Sequence, residues 1–417
     1  MSDQRAIQRL RAIITALCLA LFSSASAAAD APAEKSAAPD RAAMWASMLA
    51  KQRTLAVSAA FDAHGILWRV HVDGGRVVVD RSNDAGASFS APVAVSNEDE
   101  VIGTEGDSRP KIALAGADTI YISYTQLREK PFSGDIRFSR SIDGGRNFSA
   151  PITINDDRNI ISHRFDALLV GAHDEVYLAW LDRRDEQAAR EQDQPYAGAA
   201  IYYAISTDRG AHFADNVKLA DHSCECCRIA LALAPDGVPR AFWRHVFANN
   251  ERDHALAPLA APAEVRRITH DEWRIEACPH HGPALAINAQ GTYHFAWFDN
   301  GPQARGLFLA QSSDGGKTVS PPMALGDPTA KPSNPALLVH RDTLYAAWKE
   351  FDGETSPIRA IRSEDGGRTW FEPVTLARTA DASDHPQLIA HGEQAFLSWN
   401  TANEGYRLIP LDSVFKP

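Results

Sequence analysis

The chain has 417 residues, of which 45% are hydrophobic and 23% charged, and its formal net charge is −11. This balance is that of a globular protein. The acidic charge and the absence of any run of basic residues argue against nucleic acid as a partner.

The first 27 residues are typical of a signal peptide. Three arginines within residues 5–11 precede a short apolar stretch, residues 12–22, and Ala25-Ser-Ala27 is a suitable cleavage site. The apolar stretch is too short to span a bilayer as a mature helix. We therefore expect a bacterial protein that is periplasmic or secreted, with no transmembrane segment in the mature chain.

Residues 28–53 predict a linker followed by a short helix. Residues 28–40 are rich in alanine, proline and charge, whereas residues 41–52 place Met44, Trp45, Met48 and Leu49 on one helical face. Residues 54–417 are then expected to form a single domain.

A repeated turn pattern, Ser-x-Asp-x-Gly followed by an apolar residue three positions later, organises that domain. The Asp accepts backbone N–H bonds across a tight turn, the glycine adopts a backbone angle that other residues avoid, and the apolar residue packs under the loop. The Asp positions are 84, 143, 208, 314 and 365, so the gaps are 59, 65, 106 and 51 residues. The long gap implies a unit without the pattern, and the period is typical of a β-propeller.

Paired apolar runs precede the turns and read as the two inner strands of each unit. Seven such pairs begin near residues 54, 109, 164, 228, 283, 334 and 386. The turn pattern would then join the third and fourth strands, and the last unit shows only three strands. The sequence predicts an all-β propeller of four-stranded antiparallel blades, with seven blades, or six with an irregular closure.

The repeats resemble the Asp-box, or BNR, repeats of the sialidase superfamily, over about residues 54–412. The resemblance implies a sialidase-like propeller, in which an arginine triad binds the sugar carboxylate beside a Tyr–Glu nucleophile pair and an Asp acid. Ser108-Arg109-Pro is similar to the family's Arg-Ile-Pro element. Candidates by position for the catalytic groups are Asp182, Asp299, Glu350 and Tyr406.

The first strands begin, and the second strands end, at one mouth of the central channel, so the Asp boxes on the far face are expected to be structural. Aligned first strands place arginines at positions 53, 109, 164 and 228. Guanidinium groups suit carboxylate, sulfate or phosphate, although they could instead pair with neighbouring blades. The predicted ligand-binding residues are Arg109, Arg164, Arg228, Arg244 and His385.

Cysteines and histidines recur at equivalent positions of two adjacent units. Cys224, Cys226 and Cys227 align with Cys278, His280 and His281, 54 residues later. In an oxidising compartment these cysteines favour disulfides, with Cys224–Cys278 joining the two blades. The alternatives are a copper or zinc site formed by all six residues, and a redox-active thiol pair.

Together these features predict an exported sialidase-like propeller that binds an anionic ligand, such as a carboxylated sugar or glycan, at a mouth of arginine, cysteine and histidine. Two other functions stay open. One is a glycoside hydrolase of the exo-α-sialidase type. The other is a periplasmic copper- or zinc-binding or redox protein.

Overall fold

A computed structural model describes residues 55–104, 106–260, 263–277 and 279–415. The predicted signal peptide (1–27), the predicted linker and helix (28–53) and Cys278 lie outside the described residues. Within the described ranges, no helix is long and apolar enough to cross a membrane.

Seven antiparallel sheets follow one another along the chain, and in each the strands pair in chain order. Blade one contains β1 (Ser58–Phe61), β2 (Leu67–Asp73), β3 (Arg76–Ser82) and β4 (Val93–Ala94). Blade two contains β5 (Lys111–Ala115), β6 (Thr119–Leu127), β7 (Gly134–Ser141) and β8 (Ile152–Thr153). Blade three contains β9 (His163–Val170), β10 (Val176–Asp182), β11 (Ala199–Ser206) and β12 (Val217–Ser223).

The next four blades repeat the arrangement. Blade four contains β13 (Ala230–Leu233), β14 (Pro239–Arg244), β15 (His254–Pro258) and β16 (Arg266–Arg267). Blade five contains β17 (Ala284–Ile287), β18 (Tyr293–Asn300), β19 (Arg305–Ser312) and β20 (Met323–Leu325). Blade six contains β21 (Ser333–His340), β22 (Thr343–Lys349), β23 (Ser356–Ser363) and β24 (Val374–Thr379). Blade seven has three described strands, β25 (Gln387–His391), β26 (Gln394–Thr401) and β27 (Gly405–Pro410).

Helices are few among the described residues. The α-helix α1 (Arg184–Glu191) follows β10, and short 3-10 turns span Gly106–Ser108, Ala248–Asn250 and Pro328–Ala330. The prediction of an all-β propeller with seven blades is therefore confirmed, and the alternative count of six is wrong.

The innermost strands form a closed ring in which β25 lies beside β1. Two hydrogen bonds join the first described residues to blade seven. The Val57 backbone N–H donates to Asp384 Oδ2 at 3.0 Å, and Asn400 Nδ2 donates to the Leu55 carbonyl at 3.0 Å. The two ends of the propeller are thus held together by side-chain bonds as well as by packing.

The five Asp boxes connect the third and fourth strands of blades one, two, three, five and six, as predicted. In the blade-six box, Asp365 accepts hydrogen bonds from the Thr369 backbone N–H (2.9 Å) and from the Ser363 hydroxyl (2.8 Å). That hydroxyl accepts a bond from the Gly367 N–H (2.8 Å), and Gly367 has φ +88°. A side chain would strain this left-handed position, which explains the glycine of the repeat.

The buried hydrophobic residues fall into clusters that lie between neighbouring blades. The apolar residue that ends each Asp box packs against the preceding blade. For example, the ring of Phe213 in blade three meets the ring of Phe138 in blade two edge-on, with 4.9 Å between centroids. Because every blade shares its core with both neighbours, the blades stabilise one another as repeat units do.

Candidate functional site

A cavity of about 330 Å³ lies at one mouth of the central channel, where the inner strands begin. Residues from all seven blades line it. Its charged or titratable lining residues are Asp107, Arg109, Lys111, Asp166, Arg228 and His385. The structure thus brings three of the five predicted ligand-binding residues together at the predicted place.

Arg109 is held by a two-pronged ion pair with Asp384. The two Nη–Oδ distances are both 2.7 Å. Nη1 also donates to the Val57 carbonyl at 3.0 Å, and Nε donates to the Gly106 carbonyl at 2.7 Å. This guanidinium therefore links blade two to blades one and seven.

Arg228 is similarly occupied. Its Nη1 donates to Asp107 Oδ1 at 2.9 Å, and Nε donates to the Pro283 carbonyl at 2.8 Å. The ring Nδ1 of His385 lies 3.1 Å from the same Asp107 oxygen. Although burial opposes it, the charge of Arg228 and the hydrogen bond with His385 hold the pKa of Asp107 well below its usual value.

Lys111 completes the charged mouth. Its Nζ lies 3.4 Å from Asp166 Oδ1, and the other oxygen of Asp166 accepts a hydrogen bond from Ser123 at 2.6 Å. Burial lowers the pKa of Lys111, although Asp166 opposes this shift. Each of the three cations in the mouth is thus paired with a carboxylate, so the cavity carries little net positive charge.

The other predicted arginines lie elsewhere. The buried Arg164 places its guanidinium 5.0 Å from the ring of Phe165 and does not line the mouth cavity. The fully buried Arg244 lies between blades four and five, where its Nη2 donates to the Phe298 carbonyl at 2.6 Å. Its guanidinium lies over the Trp273 ring, 4.8 Å from the centroid.

Three predicted metal ligands converge between blades three and four. The Cys224 sulfur lies 3.9 Å from the Cys226 sulfur and 3.6 Å from the Cys227 sulfur, and all three sulfurs lie within 4.8 Å of one another. The side chains are almost completely buried. These separations are far longer than the ~2.05 Å of a disulfide, so no disulfide joins Cys224 to Cys226 or to Cys227.

Positive charge lies beside this group, which we call the three-cysteine cluster. Arg252 Nη1 donates to the Cys224 sulfur at 3.4 Å. Hydrogen bonds from Cys226 and Cys227 lower the pKa of Cys224 well below its usual value, and nearby Arg244 and Arg252 add to this effect. Of the three sulfurs, that of Cys224 therefore has the surroundings that most favour a thiolate.

The predicted histidine ligands do not join the three-cysteine cluster in the described part of the chain. His281 instead stacks on the Phe298 ring, with 4.0 Å between centroids. Burial and the charge of Arg244 lower the pKa of His281 to about 4. His280 has a left-handed backbone with φ +53°. The predicted Cys224–Cys278 disulfide lies outside the described residues.

Two of the four catalytic candidates have structural partners at the ends of second strands. Asp182 accepts the indole N–H of Trp180 at 2.8 Å and pairs with Arg184 at 2.9 Å. Glu350 accepts the indole N–H of Trp348 at 2.7 Å. In both cases the carboxylate satisfies the buried Trp that precedes it by two residues.

Asp299 occupies the same position in blade five but has a different environment. The indole N–H of Trp297 donates instead to Asp271, at 2.9 Å. Asp253, Asp271 and Asp299 form a buried group with carboxylate oxygens within 4.8 Å of one another. The nearest cation to Asp299 is Arg244, 3.8 Å from Oδ2. Burial and the charge of Asp271 raise the pKa of Asp299 to about 8.

Tyr406 lies at the interface between blades seven and one. Its hydroxyl is 3.0 Å from the Ser398 hydroxyl, and its ring meets Phe89 edge-on. Burial raises its pKa to about 12. Within the described part of the chain, no hydrogen bond or ion pair joins any two of Asp182, Asp299, Glu350 and Tyr406.

Sequence reasoning did not find Asp107 and Asp166, which neutralise two cations of the mouth, or the three-aspartate group. Asp107 lies only two residues before Arg109, at the entry to a predicted inner strand. The closeness of Asp107 to Arg109 and of Asp166 to Arg164 in sequence could have placed carboxylates at the strand starts, but it does not give their partners, which are Arg228 and Lys111. Asp253 and Asp271 belong to blade four and the segment that follows it. Because this blade lacks an Asp box, its residues could not be aligned with equivalent positions of the other blades.

No family model and no curated protein matches this sequence. Among solved structures, the BP39L lectin from Burkholderia pseudomallei is similar with a TM-score of 0.57 and 10% identity, covering 84% of this chain and 94% of the lectin. An ulvan lyase of polysaccharide lyase family PL25 has a TM-score of 0.51 and 14% identity, covering 84% and 90%. The Hadza microbial sialidase Hz136 has a TM-score of 0.48 and 14% identity, covering 82% and 75%. At such identities the likeness shows the fold alone, which is that of a seven-bladed β-propeller.

Proposed function

We propose that this protein is an exported metal-binding propeller whose three-cysteine cluster holds a soft metal ion, copper(I) or zinc. The observation that carries the proposal is the spacing of the sulfurs, 3.6 and 3.9 Å from Cys224 to its two neighbours. A metal bound to sulfur at about 2.3 Å with tetrahedral angles separates its ligand sulfurs by about 3.8 Å. The thiols therefore need little movement to bind.

The surroundings of the cluster also favour a metal–thiolate group. Three thiolates around one ion carry net negative charge, which is unfavourable in a buried site without compensation. Arg252 contacts the Cys224 sulfur directly, and Arg244 lies near enough to lower the same thiol pKa. Thiolate ligands select copper(I), zinc or iron–sulfur groups over hard cations.

The number of ligands distinguishes the two metals. Three sulfurs suffice for copper(I), whereas structural zinc takes four ligands. His281 is engaged with Phe298, so Cys278 is the sequence candidate for a fourth ligand. Zinc binding would therefore depend on Cys278, whereas copper(I) binding would not.

Metal binding should be measured on the mature chain, purified under reducing conditions. Titration against a chromophoric chelator is expected to show one copper(I) or zinc per chain. Cys226→Ser and Cys227→Ser should each weaken binding at least about 100-fold, because each removes one of three ligands. Ser223→Ala is the control, since it alters an adjacent side chain without sulfur. Unchanged affinity in both cysteine variants would contradict the proposal.

An anionic ligand at the channel mouth is the second candidate, because Arg109, Lys111 and Arg228 line one cavity. The paired carboxylates compete with any such ligand, so binding by the unmodified mouth should be weak. Asp107→Asn removes one competitor and is expected to tighten binding of sulfate or glucuronate about tenfold at neutral pH, measured by calorimetry. Asp99→Asn, at an exposed pair with Arg76, is the matched control. Equal affinity in all three proteins would exclude an anion site at Arg228.

A further inference from the structure

A polar cleft of about 870 Å³ opens between blades five and six, on the face that carries the Asp boxes. A smaller cavity of about 230 Å³ adjoins it and shares His294, Gln311, Ser320 and Arg368 with its lining. The cleft lies at the opposite end of the strands from the channel mouth and the three-cysteine cluster. Its volume is within the range of ligand-binding clefts, about 300–1,000 Å³.

This interface departs from the others at the point where a box glycine approaches the preceding blade. At four of the five boxes, the space beside the final glycine is filled mainly by carbon atoms of large side chains. The nearest side chains are Leu408 and Leu67 at Gly86, Trp68 and Ile120 at Gly145, Phe138 and Tyr121 at Gly210, and Ile268 and Leu256 at Gly316. At Gly367 they are Gln311 and His294. Among the five boxes, the blade-six box is therefore the only one whose glycine packs against two polar side chains.

His294 and Gln311 face each other across the β18–β19 pair and line the floor of the cleft. His294 is 1% exposed, and burial lowers its pKa to about 4, so its ring is neutral at pH 7. Among the described residues, neither His294 Nε2 nor Gln311 Oε1 has a hydrogen-bond partner. An unpaired buried polar group costs about 1–3 kcal/mol, so this pair is unfavourable unless something else bonds to it.

The remaining lining is rich in neutral hydrogen-bonding groups. Amides and hydroxyls come from Asn288, Gln290, Thr292, Ser313 and Ser320. The charged groups do not favour an anion, because Arg341 pairs with Glu393 at 2.9 Å, and Arg368 shares the cleft with the carboxylates Asp342 and Glu364. In the adjoining cavity, Trp370 supplies an aromatic surface.

We propose that this cleft binds a neutral polyhydroxylated ligand, that is, a carbohydrate unit. Each ligand hydroxyl both donates and accepts, which suits a neutral imidazole beside an amide carbonyl. The C–H face of a sugar ring would pack on Trp370, because aromatic rings offer a flat apolar surface. The proposal is independent of the metal site, which lies between other blades.

Blade three supplies the residues for the test. Tyr177 and Ile205 form the cross-strand pair at the repeat positions of His294 and Gln311. The double variant His294→Tyr/Gln311→Ile therefore places a pair that the fold already accepts into blade five, and it replaces the imidazole and the amide. Tyr177→Phe, in blade three, is the control with an unchanged cleft.

Binding should be measured by ligand-observed NMR and thermal shift with the methyl glycosides of glucose, galactose, mannose, fucose and rhamnose. We expect saturable millimolar binding of at least one glycoside, weakened at least tenfold in the double variant and unchanged in Tyr177→Phe. If the double variant does not fold, the two single variants take its place. No saturable binding up to about 10 mM would overturn the proposal, as would equal binding by the variants and the wild type.

Discussion

Asp384→Ala is expected to lower the free energy of unfolding by about 3–5 kcal/mol, because it leaves the largely buried Arg109 without its carboxylate partner. The same substitution removes the acceptor for the Val57 N–H at the closure of the ring. The ion pair with Arg109 connects blade two to blade seven, and the hydrogen bond from Val57 connects the residue before β1 to blade seven. Loss of Asp384 therefore weakens the propeller where its two ends meet.

Urea unfolding at neutral pH measures this loss, with Asp99→Ala as the matched control. Asp99 is paired with Arg76 at 2.6 Å, but the Asp99 side chain is 74% exposed. A surface ion pair of this kind contributes about 0–1 kcal/mol. A change below about 1 kcal/mol for Asp384→Ala would show that packing alone closes the ring.

The blade count could be predicted from the sequence because its signals are local. A box such as that of Asp365 closes its hydrogen bonds within seven residues, from Ser363 to Thr369. The second strands are likewise marked by short runs of apolar residues, such as Val176–Asp182, which is buried throughout. Repeats of such local signals add up to an architecture, even where blade four lacks a box.

The charge state of the mouth could not be predicted in the same way. Alignment placed Arg109 and Arg228 at equivalent positions, and both line the mouth as expected. Their carboxylate partners are distant in sequence, since Arg109 and Asp384 are 275 residues apart and Arg228 and Asp107 are 121 residues apart. Such pairs depend on how the ring brings separate loops together, which no local pattern records.

Asp299 illustrates the same limit within one motif. Asp182, Asp299 and Glu350 all follow a second-strand Trp by two residues, so the sequence presents them as equivalent. Two of them accept the indole N–H of that Trp, whereas Trp297 donates to Asp271. The irregular segment after β16 brings Asp271 into this position. Asp299 therefore remains buried beside another carboxylate.

Asp299→Asn is expected to make the protein more stable than the wild type at pH 8. Between pH 5 and pH 8, the free energy of unfolding of the variant should rise relative to that of the wild type by on the order of 3 kcal/mol. The pKa of Asp299 is raised to about 8 in the folded protein, against about 3.9 in the unfolded chain. Between these values the folded state keeps a proton that the unfolded chain releases. Asp299 thus contributes stability that is complete below pH 4 and is lost as the pH rises towards 8.

An asparagine at position 299 carries no titrating proton, so the variant should lack this decline. Urea unfolding of both proteins at pH 5, 6.5 and 8 isolates the contribution, because titrations elsewhere cancel in the difference.

Asp182→Asn is the matched control, at the equivalent position after Trp180. Since the Asp182 carboxylate pairs with Arg184 at 2.9 Å, its replacement should destabilise the protein at pH 8. Opposite signs for the two variants at pH 8 would establish that the three-aspartate group, and not the Trp-x-Asp motif, sets the protonation of Asp299. A pH-independent difference for Asp299→Asn would instead mean that Asp299 is ionised in the folded protein, with Arg244 as its counter-ion.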